Sequence, residues 1–188
     1  HEFDYRGTLT LHINERMGMG VVNAFGPYFV VDASGMVLEC AGSVYPDTVA
    51  GPQITNLVWI DNARATVGSR LPVRDSAQLQ AMQRVLGALD TTNLLGRVAS
   101  LDLKSLENIK LLTTDGASIV LGDDGSLETK LLIAREVLVV REPLGTVMGA
   151  TIDVSSGREA HYIPRVLPTV TPIPTATPTL EPSPTPEP

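Results

Sequence analysis

Two stretches of the chain repeat their apolar residues at helical spacing, and everything between them is organised by turns. In the first stretch Leu79, Met82, Val85, Leu86 and Leu89 fall on one helical face behind a start at Asp75 or Ser76. Aspartate and serine accept hydrogen bonds from the free amides of a first helical turn, so the start is marked as well as the face. Met82 belongs to that stripe as apolar filler. The second stretch begins near Ser126 and places Leu127, Leu131, Ala134, Val137 and Leu138 on one face. Glu142-Pro143 ends it, because the residue before proline avoids the α region.

The remaining segments read as short strands. Residues 28–31 and 36–39 flank Asp32-Ala33-Ser34-Gly35, and "NIKLLTT" and "ASIVLG" meet around Asp115-Gly116. Asp, Ser and Gly supply the side-chain bonds and positive φ of tight turns, so both read as hairpins. The segment "TLTLHINER" alternates Leu9, Leu11 and Ile13 with Thr8, Thr10, His12 and Asn14, the pattern of a half-buried strand with His12 on its polar side. A strand is expected at 98–103, and two more at 150–154 and 158–163, joined by Ser155-Ser156-Gly157. After a break at Gly51-Pro52, the residues Ile54, Leu57, Val58 and Ile60 are expected to enter the core. The fold class is therefore α+β: a mixed or antiparallel sheet of hairpin-connected strands packed with two main helices, without the strict alternation of a doubly wound sheet.

Charge and composition exclude some functions. The 188 residues carry 14 Lys and Arg against 21 Asp and Glu, a net charge of −7, with no basic cluster to neutralise phosphates. Arg70 and Arg74 read as solvated surface, and no nucleic-acid partner is expected. The lone Cys40 allows no internal disulfide and is expected as a small buried apolar residue. No apolar run approaches the length of a membrane-spanning helix. The chain starts at His1, and an excised part of a longer protein, whose targeting or membrane segment is missing, is the expectation. From about Pro168 the sequence is "PTVTPIPTATPTLEPSPTPEP", too poor in large apolar groups to offset the entropy of ordering; a disordered, extended tail is expected over 167–188.

No catalytic or metal constellation stands out. His1, His12 and His161 are scattered, and Asp123-Asp124-Gly125 lacks the further ligands of a calcium loop; it reads as a turn at the positive end of the second helix. No cofactor motif is present: "GMGVVNAFG" is followed by no Lys or helix start. Glu15-Arg16 reads as an exposed pair. A Ser–His–Asp set of Ser156, His161 and Asp153 is conceivable but has no recognisable oxyanion loop. A binding or structural module is favoured over an enzyme.

The ordered motifs resemble the FtsQ/DivIB bacterial cell-division family. "GTLTLHINER" is similar to the "P-x-T-L-x-I-x-V-x-E-R" strand that closes that family's POTRA domain, and "YFVVDASGMVLE" to the "V-D-x-x-G-x-V" hairpin that opens its β domain. "GPQITNL" resembles "P-x-I-x-G", with Asn56 where Gly is usual; "VLGDDGSLETKLLIAREVL" resembles "L-G…K…L", with Lys130 in the Lys position. "GATIDVSSGREAHYIP" resembles the terminal "I-D-L-R…A…P" strands, with Ser155 in place of Arg. The resemblance covers roughly residues 8–164. It implies the end of a POTRA-like domain at 1–16, a β domain at 17–166 and a tail at 167–188 outside the family pattern.

It further implies a non-enzymatic scaffold, single-pass in the plasma membrane of a bacterium through an N-terminal helix absent from this chain. The β domain would lie on the extracytoplasmic side at the division septum and help regulate septal cell-wall synthesis. Partners of FtsB/DivIC and FtsL type would add a strand to the last β strand, carried over to Gly157, Arg158, Glu159, Ala160, His161, Tyr162 and Ile163. Tyr162 is the expected anchor, His161 points to the opposite face, and Arg158 is the charge available where Ser155 replaces Arg. Glu107 and Lys104 lie where a second charged contact would fall. The alternatives are an extracytoplasmic ligand-binding or adhesion module, suggested by the tail, and a hydrolase using Ser156 and His161.

Overall fold

The computed structural model describes residues 2–3, 9–10, 15–46, 49–58 and 60–165. His12, the continuation of the first alternating segment through Leu11 and Ile13, and the Thr/Pro-rich tail lie outside those residues. Strands β1 (Glu2–Phe3) and β2 (Leu9–Thr10) pair with each other in a small antiparallel sheet. The large sheet is built from β3 (Gly20–Asn23), β4 (Tyr28–Val31), β5 (Val37–Gly42), β6 (Gln53–Thr55), β7 (Val98–Asp102), β8 (Ile109–Thr113), β9 (Ser118–Gly122), β10 (Thr151–Asp153) and β11 (His161–Ile163). Helix α1 (Ser76–Thr91) lies between β6 and β7 in the chain, and α2 (Leu127–Arg141) between β9 and β10. The spatial order of the sheet is β11-β10-β9-β8-β7-β6-β3-β4-β5.

This is the α+β, mixed sheet with two helices that the sequence implies, and the helices occupy its two adjacent parallel crossovers. Strands β6 and β7 pair in parallel, as do β9 and β10. Because β8 is antiparallel to both β7 and β9, β6 and β9 point the same way. Both crossovers also step in the same direction across the sheet, so crossovers of one hand put both helices on one face. There α1 and α2 pack against each other.

The face beneath the helices is the core. Val22, Ile54, Leu101, Leu111, Ile119 and Ile152 stand in one register row, each no more than 2% exposed. Onto that layer α1 sets Met82, Val85, Leu86 and Leu89, and α2 sets Leu131, Ala134 and Leu138, the residues of the two helical stripes. Strand side chains alternate, so the next row, Ser100, Leu112, Ser118, Thr151 and Ile163, faces away from the helices.

Local chemistry fixes the element ends. The Asp75 carboxylate accepts from the amides of Ala77 and Gln78 and caps α1 as expected. Gln78, buried and not singled out in the sequence, accepts from the Val58 amide at 2.7 Å and donates to the carbonyls of Asn56 and Leu103. It thereby ties α1 to the ends of β6 and β7. Asn56 holds φ at 60°, a conformation natural to Gly or Asn. That accounts for Asn at a position where the resembling pattern carries Gly.

Several expectations are corrected. Val58 is 51% exposed, because the chain leaves the sheet at Asn56 and only its backbone is held, by Gln78. Cys40 is exposed, since β5 is the outermost strand on its side of the sheet. Strand β3, in the "GMGVVNAFG" segment for which the sequence suggests no strand, lies between β6 and β4 with Val21 and Val22 both buried, so it shows no alternation to detect.

Arg16 is not a free surface residue. It pairs with Asp32 at 2.5 Å, and Asp32 also accepts from the Ser34 amide, the Ser34 hydroxyl and the Met36 amide. Burial opposes the charge, but the bonds from Ser34, Met36 and Arg16 win and hold the carboxyl below its ordinary 3.8. A lowered folded-state pKa contributes stability above the unfolded value and loses it as pH falls through the folded value. Denaturant titrations between about pH 6 and pH 3 should therefore show a shallower acid loss for Asp32→Asn than for the native chain. Equal slopes would remove Asp32 from the acid response.

Candidate docking edge

Strand β11 ends the sheet: β10 flanks one side, and no described strand flanks the other. Which of its backbone groups are free follows from the neighbouring strands. The Ser118 amide donates to the Ala150 carbonyl and the Val154 amide to the Val120 carbonyl, so residues 150, 152 and 154 turn their peptide groups toward β9. Strand residues alternate in that direction, so Thr151 and Asp153 turn theirs toward β11, where they face Ile163 and His161. The N–H and C=O of Tyr162 consequently point outward at the rim of the sheet, with no partner among the described residues. Pro164, which has no N–H, follows Ile163 and limits the edge on that side.

Of the seven residues assigned to the edge from sequence, His161, Tyr162 and Ile163 are in the strand. Gly157, Arg158, Glu159 and Ala160 form the approach to it, so the two expected strands are shorter than 150–154 and 158–163. The reason is Ser156, whose hydroxyl accepts from the amides of Arg158 and Glu159 and donates to the Glu159 carbonyl. Those bonds close a turn where the strand would otherwise run on. They also occupy the hydroxyl, and no bond joins Ser156 to His161 among the described residues. The Asp153 carboxylate accepts from the Ser155 amide at 2.9 Å. Ser156, His161 and Asp153 are thus close without being arranged as a relay.

The side chains of the strand divide as alternation requires. His161 and Ile163 lie on the open face and are exposed. Tyr162 continues the core row, opposite Ile152, and is half-buried under the end of α2. Its hydroxyl donates to the Thr146 carbonyl at 2.5 Å, and the Arg141 guanidinium sits 4.5 Å from its ring centroid. The Tyr162 side chain is therefore held within the fold rather than free as an anchor; its backbone is the free part. Beside it, Val137, Val140, Arg141, Ala160 and Tyr162 line a groove of about 280 Å³ between α2 and the rim.

Lys130 supports this corner from inside. The side chain is 3% exposed, and Nζ donates to the carbonyl and carboxylate of Asp123 at 3.0 and 2.6 Å. Its aliphatic stem passes under Gly157, where an added Cβ would stand 3.7 Å from Lys130 Cε. The bond from Lys130, with one from the Gly125 amide, holds the Asp123 carboxyl below its ordinary range. Asp124 pairs instead with Arg84 of α1. The two acidic residues of the turn thus hold side chains from both helices, which neither a cation site nor a simple helix cap describes. Among the described residues no group of His, Cys, Asp and Glu is placed to hold a metal ion. Lys104 and Glu107 lie exposed in the loop between β7 and β8, strands that β9 and β10 separate from β11.

No protein-family model matches the chain. The cell division protein DivIB of Clostridium tetani (strain Massachusetts / E88) is 22% identical over 147 residues, covering 78% of this chain and 53% of that protein. The chain is distantly similar to a cell division protein. It spans about half the length of that curated relative. The DivIB likeness is in keeping with the family resemblance read from the sequence, as a distant one. Among the described residues no helix is long and apolar enough to cross a membrane.

Proposed function

We propose that the chain is a non-enzymatic docking module of the bacterial cell-division machinery. It binds an extended segment of an FtsB/DivIC-type partner, with an FtsL-type protein in the same assembly, by adding that segment as a strand beside β11. The observation that carries the reading is the outward-facing N–H and C=O of Tyr162 on a rim that no described strand covers; the DivIB likeness supports the cellular setting. Main-chain pairing there supplies affinity, and the groove lined by Val137, Val140 and Arg141 receives alternate side chains of the incoming strand. Residues 1–16, which include the paired strands β1 and β2, belong in this reading to the end of a POTRA-like unit. The full protein is held by a membrane helix with this domain on the extracytoplasmic side. The hydrolase alternative is not favoured, because the Ser156 hydroxyl is committed to its own turn.

The reading is tested by NMR titration of the labelled chain with the extracytoplasmic segment of an FtsB/DivIC-type protein. Shifts should concentrate on the amides of His161, Tyr162 and Ile163 and on the methyls of Val137 and Val140. A spectrum unmoved at millimolar partner, or shifts confined to another part of the sheet, would reject it.

A further inference from the structure

The open face of the sheet carries a charged row that strand addition does not use. Asp102, Lys110, Val120, Asp153 and His161 stand in register from β7 to β11. His161 closes the row on the rim strand. Its Nε2 lies 3.4 Å from the Glu159 carboxylate, and Asp153 of β10 stands opposite it in the strand register. Glu159 is thus the carboxylate paired with the imidazole, while Asp153, whose carboxylate accepts from the Ser155 amide, stands opposite it on the neighbouring strand. The Asp153 carboxyl is held below its ordinary value, chiefly by the backbone and side chain of Ser155 and in part by the field of His161. The other charges nearby are Arg158, exposed in the same turn, and Lys110, beyond Val120 in the row. Arg141 is on the opposite face, over Tyr162.

We infer that His161 makes this rim pH-sensitive, firmer and more receptive to an acidic segment when the imidazole is protonated. The imidazolium pairs with Glu159 of its own turn and attracts the Asp153 carboxylate that stands opposite it on β10, and that second attraction draws β11 to β10. When the proton is lost, both attractions go, the turn loosens, and an approaching acidic segment meets the negative charges of Asp153 and Glu159. The sign is fixed by the charge balance: the pairing is present on the acid side of the imidazole titration and lost on the alkaline side. His161 and Glu159 are 68% and 71% exposed, so the effect is modest. It acts on a strand of three residues at the end of a sheet, where local opening is governed by few contacts. Reception of an acidic segment rests on the docking reading above; the firming of β11 is a property of the chain alone.

Hydrogen exchange on the full chain tests the second property without any partner. The amides of His161 and Ile163 are the ones turned toward β10, so their protection reports the β10–β11 pairing. After correction for the intrinsic pH dependence of exchange, protection at about pH 5.5 should exceed that at about pH 8 roughly threefold. His161→Gln should abolish the difference, Glu159→Gln should reduce it, and the Leu111 amide should not change in any of them. A flat native profile, or a dependence that survives His161→Gln, overturns the inference. Because no partner is present, that result would leave the docking reading standing. An unsuccessful partner titration would equally leave the exchange result in place.

Discussion

Alanine at position 51 is expected to destabilise the protein by about 4 kcal/mol or more, enough to lower the melting temperature by roughly 10 °C. A Cβ built on Gly51 would stand 1.8 Å from the Met19 carbonyl oxygen and 2.9 Å from the Gly20 amide nitrogen, both backbone atoms with no rotamer to change. The Val21 amide, two residues on, donates to the Pro52 carbonyl in the parallel pairing of β3 with β6. To admit one methyl group the two strands must separate in the middle of the sheet. Gly87, inside α1, is the control: nothing lies within 4 Å of an added Cβ there. Gly87→Ala should be neutral or stabilise by about 0.5–1 kcal/mol through helix propensity. Thermal denaturation of the two variants side by side decides the matter. Equal melting temperatures would mean that β3 and β6 are not packed as described.

Tyr162→Pro is expected to weaken partner docking about tenfold more than Tyr162→Ala. Both variants lose the hydroxyl bond to Thr146 and the stacking of Arg141. The proline variant alone also loses the outward N–H, and it spares the bonds to β10 because those are made by His161 and Ile163. Proline is tolerated on rim strands whose N–H faces outward, so the fold should survive, and thermal denaturation verifies that it has. The difference between the two affinities isolates the main-chain donor. If alanine and proline weaken docking equally, side-chain packing carries the interaction and strand addition does not.

The helices were legible because each stripe runs through several turns and meets a definite start or stop. Asp75 behaves as its type requires, and Leu127 through Leu138 keep their spacing down to the buried contacts. The hairpins at Asp32–Gly35 and Asp115–Gly116 were legible from turn chemistry. What was not legible depends on the tertiary fold. β6, β10 and β11 are three residues each, too short to display alternation. β3 is buried on both faces where Val21 and Val22 lie, and Cys40 is exposed only because nothing described pairs outside that part of β5. At the candidate site, the place of the last strand could be read but its length could not, because the Ser156 turn looks like any Ser-Ser-Gly loop. The holding of Tyr162 by Arg141 and Thr146 joins residues 16 or more apart, which no local pattern announces.

The order of the strands has a consequence for when the rim comes into being. Within the described sheet β11 pairs with β10, and β10 forms only after the chain has passed through β9 and the whole of α2. On a growing polypeptide the rim is thus the last piece of the described sheet to be emitted, and it has nothing to lie against until the preceding crossover has closed. A partner that recognises Tyr162 at that rim would pass over half-made chains and chains stalled before the final crossover. Recognition at the terminal strand would then double as an inspection of the domain, admitting to the assembly only molecules that have finished folding.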